Sequence, residues 1–282
     1  MSVAERREAV RDLVTLGISV HRACQLAQLA RATLHYKPRP VQDEELVVEL
    51  NVLAQERPRY GYRRAWAVLR RTRAINRKRV HRLWKRAQLQ LKRLPRSRRR
   101  RERTGRVVAA YPNHIWAYDF VQDHDQYGNT LYILTVMDEF TREGLAIDIA
   151  LDTSAERVIG VLAQLVPVYG TPEQVRSDNG AEFVAQALQR WLATEHILPL
   201  YIDPGCPWQN GKDERFNGTV RDECLNLHLF ATLAEARVRL EAFRQHYNTE
   251  RPHSQLGYQT PLGFKQAWIE AQSEQKDSLI PT

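Results

Sequence analysis

The sequence predicts an α/β protein in which a mixed β-sheet is flanked by helices and preceded by helical modules of helix-turn-helix type. From Tyr111 onward, apolar runs of strand character alternate with helical periodicity, whereas the chain before residue 92 shows helical periodicity alone. The charge divides at nearly the same place. Residues 1–110 hold 29 Lys and Arg against 9 Asp and Glu, and the remainder holds 13 against 24. Such asymmetry favours a polyanion-binding part joined to a part with another task, the alternative being a merely solvated basic surface.

Composition shifts and breaker residues divide the chain into five segments. We predict a helix-turn-helix-like segment at 1–40, a helical DNA-binding domain at 41–91, a basic linker at 92–110, an α/β core with C-terminal helices at 111–270 and a tail at 271–282.

The N-terminal helices are predicted from apolar stripes and capping residues. Ser19 can cap a short helix that begins at Val20, and Asn76 can cap a helix over Arg77–Leu89. One face of that last helix is apolar, and nearly every polar position of the other face is cationic, which phosphate binding explains and amphipathicity alone does not. The cationic positions are Arg77, Lys78, Arg79, Arg82, Lys85 and Arg86.

The run KRLPRSRRRRERTGR at 92–106 carries nine basic residues and one acid. Self-repulsion and the shortage of apolar side chains prevent a packed core, so the sequence predicts a linker that orders only on a polyanion. Its central arginines are candidate DNA contacts: Arg98, Arg99, Arg100 and Arg101.

The core is predicted as a three-stranded meander followed by alternating strands and helices. The predicted strands are His114–Val121, Leu131–Met137, Leu145–Ala150, Val175–Ser177 and Ile197–Ile202. The predicted helices are Ala155–Val168, Glu182–Glu195, Lys212–Leu227 and Leu233–Tyr247.

Composition excludes several classes of protein. No apolar run approaches the roughly 20 residues of a membrane span, and the N-terminus lacks the apolar core of a signal peptide. Cys24, Cys206 and Cys224 are distant from one another and form no CxxC pair, which argues against a disulfide scaffold and a cysteine zinc site. We therefore expect a cytoplasmic protein without a zinc domain or a membrane partner.

Three acids are placed by the predicted elements where they can converge. Asp119 lies inside the first apolar strand, Asp178 follows a short strand in SDNGAEF, and Glu214 falls in the first turn of a helix. Each has an ordinary structural explanation when taken alone: a hydrogen-bonded strand residue, an Asp-Asn-Gly turn and a carboxylate at a helix start. Converging carboxylates repel one another unless a cation neutralises them, and their hard oxygens favour Mg²⁺ or Mn²⁺.

The order Asp119, Asp178, Glu214, with 35 residues between the last two, resembles the Asp-Asp-Glu triad of the retroviral-integrase superfamily. The surrounding words WAYDF, RSDNGAEF, PGCPWQNGKDERFNGTVRDECLN and YNTERPHSQLGYQTP are similar to the integrase-core reading frame of bacterial insertion sequences with two overlapping frames. The likeness covers most of residues 42–270.

The resemblance implies an RNase H-like core of five strands and an insertion-sequence transposase that cleaves and rejoins DNA. It implies two Mg²⁺ or Mn²⁺ ions per active site, held by Asp119, Asp178 and Glu214, which act on both oxygens of an in-line displacement. The partners expected are double-stranded DNA of the element ends and of the target, a second copy of the chain on DNA, and an upstream-frame DNA-binding protein or fusion.

Basic residues around the third acid are further candidates for DNA contact. Arg221 lies seven residues beyond Glu214, nearly on the same helical face, and could hold a phosphate beside the metals. Lys212 and Arg215 flank the acid. For His253 the sequence leaves two interpretations open, contact with DNA and simple packing.

Two alternative functions belong to other classes. An RNase H-like nuclease would cut DNA without joining it, and a catalytically inactive regulator would only bind DNA. Joining of a 3′-OH end to target DNA distinguishes the first alternative, and metal-dependent nicking distinguishes the second.

Overall fold

A five-stranded sheet within residues 115–201 organises the computed structural model, which describes residues 1–36, 43–91, 107–203 and 210–277. The chain divides into two compact units, Met1–Val48 and Glu49–Thr282. Across the described ranges, no helix combines the length and the apolar character that crossing a membrane requires. The basic part of the predicted linker, residues 92–106, lies outside the described residues.

The first unit contains three short helices around a small core. They are α1 (Val3–Thr15), α2 (Val20–Leu26) and α3 (Arg31–His35). Val10, Ala23, Cys24 and Leu29 are buried together. Ser19 caps α2 as predicted, because its side chain accepts a hydrogen bond from the Arg22 N–H.

Three helices precede the sheet: α4 (Glu44–Glu56), which spans the boundary between the units, α5 (Tyr62–Leu69) and α6 (Arg77–Arg86). The predicted cap Asn76 is confirmed, since its side chain accepts from the Lys78 N–H. Helices α5 and α6 belong to the same compact unit as the sheet. The segment boundaries taken from the sequence stay a prediction.

The sheet is mixed, with the strand order β3-β2-β1-β4-β5. The meander β1–β2–β3 is antiparallel, whereas β4 runs parallel to β1 and β5 runs parallel to β4. This arrangement confirms the predicted fold class. The strands are β1 (Ile115–His124), β2 (Thr130–Asp138), β3 (Gly144–Ala150), β4 (Gln174–Ser177) and β5 (Leu198–Tyr201).

Helices cover both faces of the sheet, and each face has its own apolar core. On one face, Ile133 and Ile149 pack with Phe216 and Leu240. On the other face, Trp116 and Leu134 pack among side chains of the helices that follow β3 and β4. The helices are α7 (Ala155–Tyr169), α8 (Ala181–Val184), α9 (Gln186–Thr194), α10 (Asp213–Glu223), α11 (Leu233–Thr249) and α12 (Pro261–Asp277).

The single helix predicted over Glu182–Glu195 is wrong, because the chain breaks into α8 and α9 at Ala185, whose backbone is extended (φ −57°, ψ 135°). Packing explains the break. Phe183 is fully buried, with its ring 4.9 Å from that of Tyr118 and 5.5 Å from that of Phe120, measured between centroids. A continuous helix would have to carry this ring away from its place on the sheet.

A buried ion triad ties α5 to α10. The Glu223 carboxylate accepts from Arg64 on α5 and, through two hydrogen bonds of 2.7 Å, from Arg251 in the segment after α11. Nearby, the edge of the Trp66 ring meets Tyr258, and Tyr60 bonds to His246. The helical segment that precedes the sheet is therefore fixed directly to the C-terminal helices.

Candidate active site

Asp119 lies on the central strand β1, opposite Thr135 of β2. The side chain is half-buried, and its two oxygens accept hydrogen bonds from the Phe120 N–H (2.8 Å) and the Asn217 amide (3.1 Å). Burial, followed by repulsion from the Asp178 carboxylate, raises the pKa of Asp119 to about 6.

The register of the parallel strands explains why Asp178 lies beside Asp119. Ala117 of β1 pairs with Arg176 of β4, so two residues further along, Asp119 and Asp178 are level and project to the same face. Beyond the end of β4, the Asp178 carboxylate turns the chain by accepting from the Gly180 N–H at 2.9 Å. The sheet therefore brings two of the three predicted acids together.

Helix α10 presents Asp213 and Asn217, one turn apart, towards β1. The Asn217 amide donates to Asp119 and to Asp213 (3.1 Å each), and its oxygen accepts from the Thr135 hydroxyl at 2.7 Å. Asp213 is fully buried, and its Oδ1 has no hydrogen-bond partner among the described residues. Burial and the facing Asp119 carboxylate raise the pKa of Asp213 well above its usual range.

Glu214, the third predicted acid, occupies the next position of α10 and is exposed. It lines a cavity on the outer side of the helix rather than the contact between α10 and β1. In the part of the chain that the structure describes, no group of three or more His, Cys, Asp or Glu side chains is placed to hold a metal ion. The structure places Asp178 and Asp213 each beside Asp119, with Glu214 at the next position of α10.

Sequence reasoning missed Asp213, Asn217 and Glu139. Asp213 is overshadowed by the neighbouring Glu214, and only the orientation of α10 shows which of the two faces the sheet. The one available signal was the spacing of Asp213 and Asn217, which places two polar residues on the same helical face as the buried Val220.

Glu139 holds the two segments that carry the second and third acids. Its carboxylate is completely buried after β2, where it pairs with Arg176 of β4 and with Lys212, 2.9 Å away, at the start of α10. Lys212 also donates to the Glu139 carbonyl oxygen. Arg176 and Lys212 stand two residues before Asp178 and Glu214, respectively. The pairs with Glu139 therefore fix the backbone just before each of these two acids.

The predicted cationic residues are distributed over several surfaces. On α6 they are exposed except for Arg79, which is half-buried, and Arg77 lies over the Trp66 ring. Arg215 is exposed on α10, and Arg221 donates to the Gln122 carbonyl oxygen at 2.6 Å. Arg98, Arg99, Arg100 and Arg101 lie outside the described residues. The contacts of all these cationic residues with DNA stay predictions.

Comparison with family models and solved structures defines the class of protein. Residues 109–207 and 195–261 match two models described as an integrase core domain, and residues 42–101 match an HTH-like domain. The fold is similar to that of the simian T-cell lymphotropic virus intasome, with a TM-score of 0.52 at 18% identity, over 60% of each chain. The sheet is thus that of the RNase H-like integrase core.

Similarity to bacterial proteins narrows the class to a family. The chain is 42% identical over 267 residues to the insertion element IS407 uncharacterized 31.7 kDa protein of Burkholderia multivorans, covering 91% of this chain and 93% of that protein. It is 37% identical to the insertion element IS476 uncharacterized 39.2 kDa protein of Xanthomonas euvesicatoria, covering 98% and 80%. Identity to the Escherichia coli transposase InsD for insertion element IS2-9 is 27%, covering 94% of each. The chain belongs to the integrase-core transposase family of bacterial insertion elements.

Proposed function

We propose that this transposase cleaves DNA at the ends of its insertion element and joins the resulting 3′ ends to target DNA, with Asp119, Asp178 and Glu214 as the catalytic acids. The observation that carries the proposal is the placement of Asp119 on β1 beside Asp178, which directly follows the parallel strand β4 of an integrase core. Two carboxylates close enough to raise the pKa of Asp119 favour a function that a cation completes.

The donor set fits hard divalent cations. It consists of carboxylate oxygens, and the buried Asp213 Oδ1 has no hydrogen-bond partner in the described ranges. Asp119 and Asp178 would hold two Mg²⁺ or Mn²⁺ ions, and Glu214 would complete the shell of the second. When bound, such ions stabilise the charge that develops on the phosphate oxygens and favour the ionised form of the attacking hydroxyl.

Other residues position the acids. Asn217 fixes the orientation of the Asp119 carboxylate, and Thr135 in turn fixes the Asn217 amide through a 2.7 Å hydrogen bond. Glu139 holds the end of β4 and the start of α10 through Arg176 and Lys212. Preorganisation of this kind aligns charged ligands before the substrate arrives, which is where phosphoryl-transfer enzymes gain much of their rate.

The proposed reaction has two in-line displacements at phosphorus. In the first, a water oxygen attacks the phosphodiester at the element end and the 3′ oxygen leaves, which frees a 3′-OH. In the second, that 3′-OH attacks a target phosphodiester, a new bond to phosphorus forms, and the target's own 3′ oxygen leaves. No covalent enzyme intermediate is needed, so the residues act as ligands and positioning groups.

The decisive experiment measures nicking of candidate element-end duplexes and joining of their 3′ ends in Mg²⁺. We expect Asp119→Asn, Asp178→Asn and Glu214→Gln each to reduce both rates by at least about 100-fold. DNA affinity should change little, because it depends mainly on phosphate contacts elsewhere. Glu182→Gln, an acid at the start of α8 four residues after Asp178, is the matched control and should retain activity.

Asp213→Asn separates the two candidates for the third acid. If Glu214→Gln keeps activity while Asp213→Asn loses it, Asp213 is the ligand and the assignment of Glu214 is wrong. Nicking without joining would make the protein a nuclease, and DNA binding without nicking would make it a regulator.

Joining two ends of one element requires two active sites held together. We therefore propose at least a dimer on paired DNA ends in the bacterial cytoplasm, with an upstream-frame protein or fusion as a further partner. Mass measurement with and without end DNA tests the assembly. A complex with one protein per end that still completes coupled strand transfer would contradict it.

A further inference from the structure

A cationic cavity lies on the outer side of α10, next to the candidate active site. Its volume is about 440 Å³, within the range of roughly 300–1,000 Å³ typical of ligand pockets. Its described lining includes five cations and one acid, Glu214. The cations are Arg64, Arg142, Lys212, Arg215 and Arg251.

Ion pairs within the protein leave this cavity positively charged. Arg64 and Arg251 share one carboxylate, that of Glu223, so one positive charge remains there uncompensated. Arg215 is exposed and forms no ion pair with a described residue. Guanidinium groups gathered around a concave surface, with more cations than carboxylates, favour an anion as the occupant.

Arg142 reaches the cavity from the turn between β2 and β3, where its backbone is left-handed (φ 65°). That conformation disfavours an arginine, whereas glycine or asparagine adopts it with little strain. The guanidinium at this position therefore comes with a strained backbone conformation at Arg142.

His253 supplies an independent observation that points to a ligand. The residue is 8% exposed and lines the cavity, and its Nδ1 has no hydrogen-bond partner within the described residues. Backbone hydrogen bonds with Gln259, Leu256 and Tyr258 hold its position. Burial, then the charges of Arg251 and Arg142, lower the pKa of His253 to about 3, so the ring is neutral at physiological pH. A buried ring nitrogen without a hydrogen-bond partner in the described residues favours a hydrogen-bonding occupant.

We propose that this cavity binds one phosphodiester group of the DNA strand that enters the active site, with Arg142 and Arg215 as charge partners and His253 as a hydrogen-bonding partner. The proposal rests on the proposed function, since it takes DNA as the substrate. The N–H groups of a guanidinium match the oxygens of a phosphate in geometry. Because the cavity shares Glu214 with the candidate site, a phosphate bound there would hold the strand beside the scissile bond. The proposal also assigns His253 to contact with DNA, one of the two interpretations that the sequence left open.

The test uses the full chain in EDTA, so that binding is measured without catalysis. Duplexes carrying a candidate element end, each with a single neutral methylphosphonate linkage, are titrated by fluorescence anisotropy. We expect one linkage at which neutralisation weakens wild-type binding strongly but weakens binding of Arg142→Gln and of Arg215→Gln much less, because each variant has already lost one of the two charges that act on that phosphate. Each variant should also lower the slope of log affinity against log salt by about 0.9.

Arg190→Gln is the matched control, an exposed arginine on α9 outside the cavity, and should respond to the neutral linkage as the wild type does. If Arg142→Gln fails to fold, as judged by thermal unfolding, His253→Gln takes its place. The proposal is overturned if no linkage has a smaller effect on binding in both variants than in the wild type, or if the chain does not bind DNA.

Free phosphate is the competing source of the same ligand chemistry. Inorganic phosphate would then stabilise the wild type more than the Arg215→Gln variant, while each neutral linkage would weaken DNA binding of the two proteins equally. With that result the cavity binds a free anion and the assignment to DNA is wrong. Failure of the proposed function is distinguishable. If one linkage has a smaller effect on both variants in EDTA but the protein never nicks DNA in Mg²⁺, only the catalytic assignment is lost.

Discussion

Removing the charge of Glu223 should destabilise the protein strongly. Its side chain is 9% exposed and accepts three hydrogen bonds of 2.7 Å, two from Arg251, which is 4% exposed, and one from Arg64, which is 30% exposed. Glu223→Gln leaves two guanidiniums without their carboxylate, and the loss of one partner from a buried ion pair costs about 3–5 kcal/mol. At about 2–4 °C per kcal/mol for a unit of this size, Tm should fall by about 6–20 °C.

Asp222→Asn is the matched control, because Asp222 is the neighbouring acid of α10 and pairs with Arg59. That pair is exposed, 53% for the acid and 36% for the arginine, so its loss should cost no more than about 1 kcal/mol. Urea and thermal unfolding of both variants decide the matter. Equal stabilities of Glu223→Gln and Asp222→Asn would refute the reasoning.

The stability difference between the wild type and Glu223→Gln should depend on pH, because the Glu223 carboxylate titrates. Burial raises the pKa of Glu223, but hydrogen bonds and charges from Arg251 and Arg64 outweigh burial, so its pKa in the folded state lies below the ordinary value. A lowered pKa means that the stabilisation is fully present above the unfolded pKa of about 4.3 and is lost as pH falls through the folded value. The stability difference between wild type and Glu223→Gln should therefore shrink below about pH 4.

Two further predictions concern packing and DNA affinity. In Gly144→Ala, the added Cβ would lie 2.8 Å from the buried Phe216 ring, so overpacking should lower the free energy of unfolding in urea by about 1–3 kcal/mol. In Gly218→Ala, the added Cβ would have no atom within 4 Å, and the free energy of unfolding should rise by about 0.5–1 kcal/mol because alanine favours the helix. Equal effects of the two substitutions would contradict this packing. If residues 77–106 neutralise about six to eight phosphates, DNA affinity should drop by roughly 10³–10⁴ between 50 and 200 mM salt, and deletion of 92–106 should flatten that dependence. An unchanged salt slope would show the basic run to be only a tether.

Much of the fold could be predicted from local chemistry. The three strands of the meander are long and strongly apolar, and Asn76 and Ser19 are capping residues whose effect extends over a single turn. The break at Ala185 could not be predicted, because no Gly or Pro marks it and its cause is the burial of Phe183 on a sheet distant in sequence. Where the determinant is tertiary packing, local propensity gives no signal.

The candidate site was predictable to the same extent. Asp119 lies on β1 and Asp178 directly follows β4, and because the parallel pairing of these strands follows from the βαβ order, the proximity of the two acids could be expected from topology. Asp213 and Glu214 are adjacent acids on one helix, and the sequence cannot tell which of them faces the sheet. Glu139 appears in the sequence as one acid of a turn, and only the folded chain shows it buried between Arg176 and Lys212.

Helix α10 contacts the candidate site, the cavity and α5, and the spacing of its residues explains how one helix does all three. Asp213 and Asn217 are four residues apart and share the face towards β1, whereas Glu214 and Arg215, about 100° and 200° further around, line the cavity. At the other end of the helix, Glu223 is held by Arg64 of α5. A rotation of α10 that brought Glu214 towards Asp119 would move Arg215 and strain the Glu223 pair at once. Because the Glu223 pair fixes α10 to α5, we expect Glu223→Gln to weaken cleavage more than its effect on stability alone accounts for.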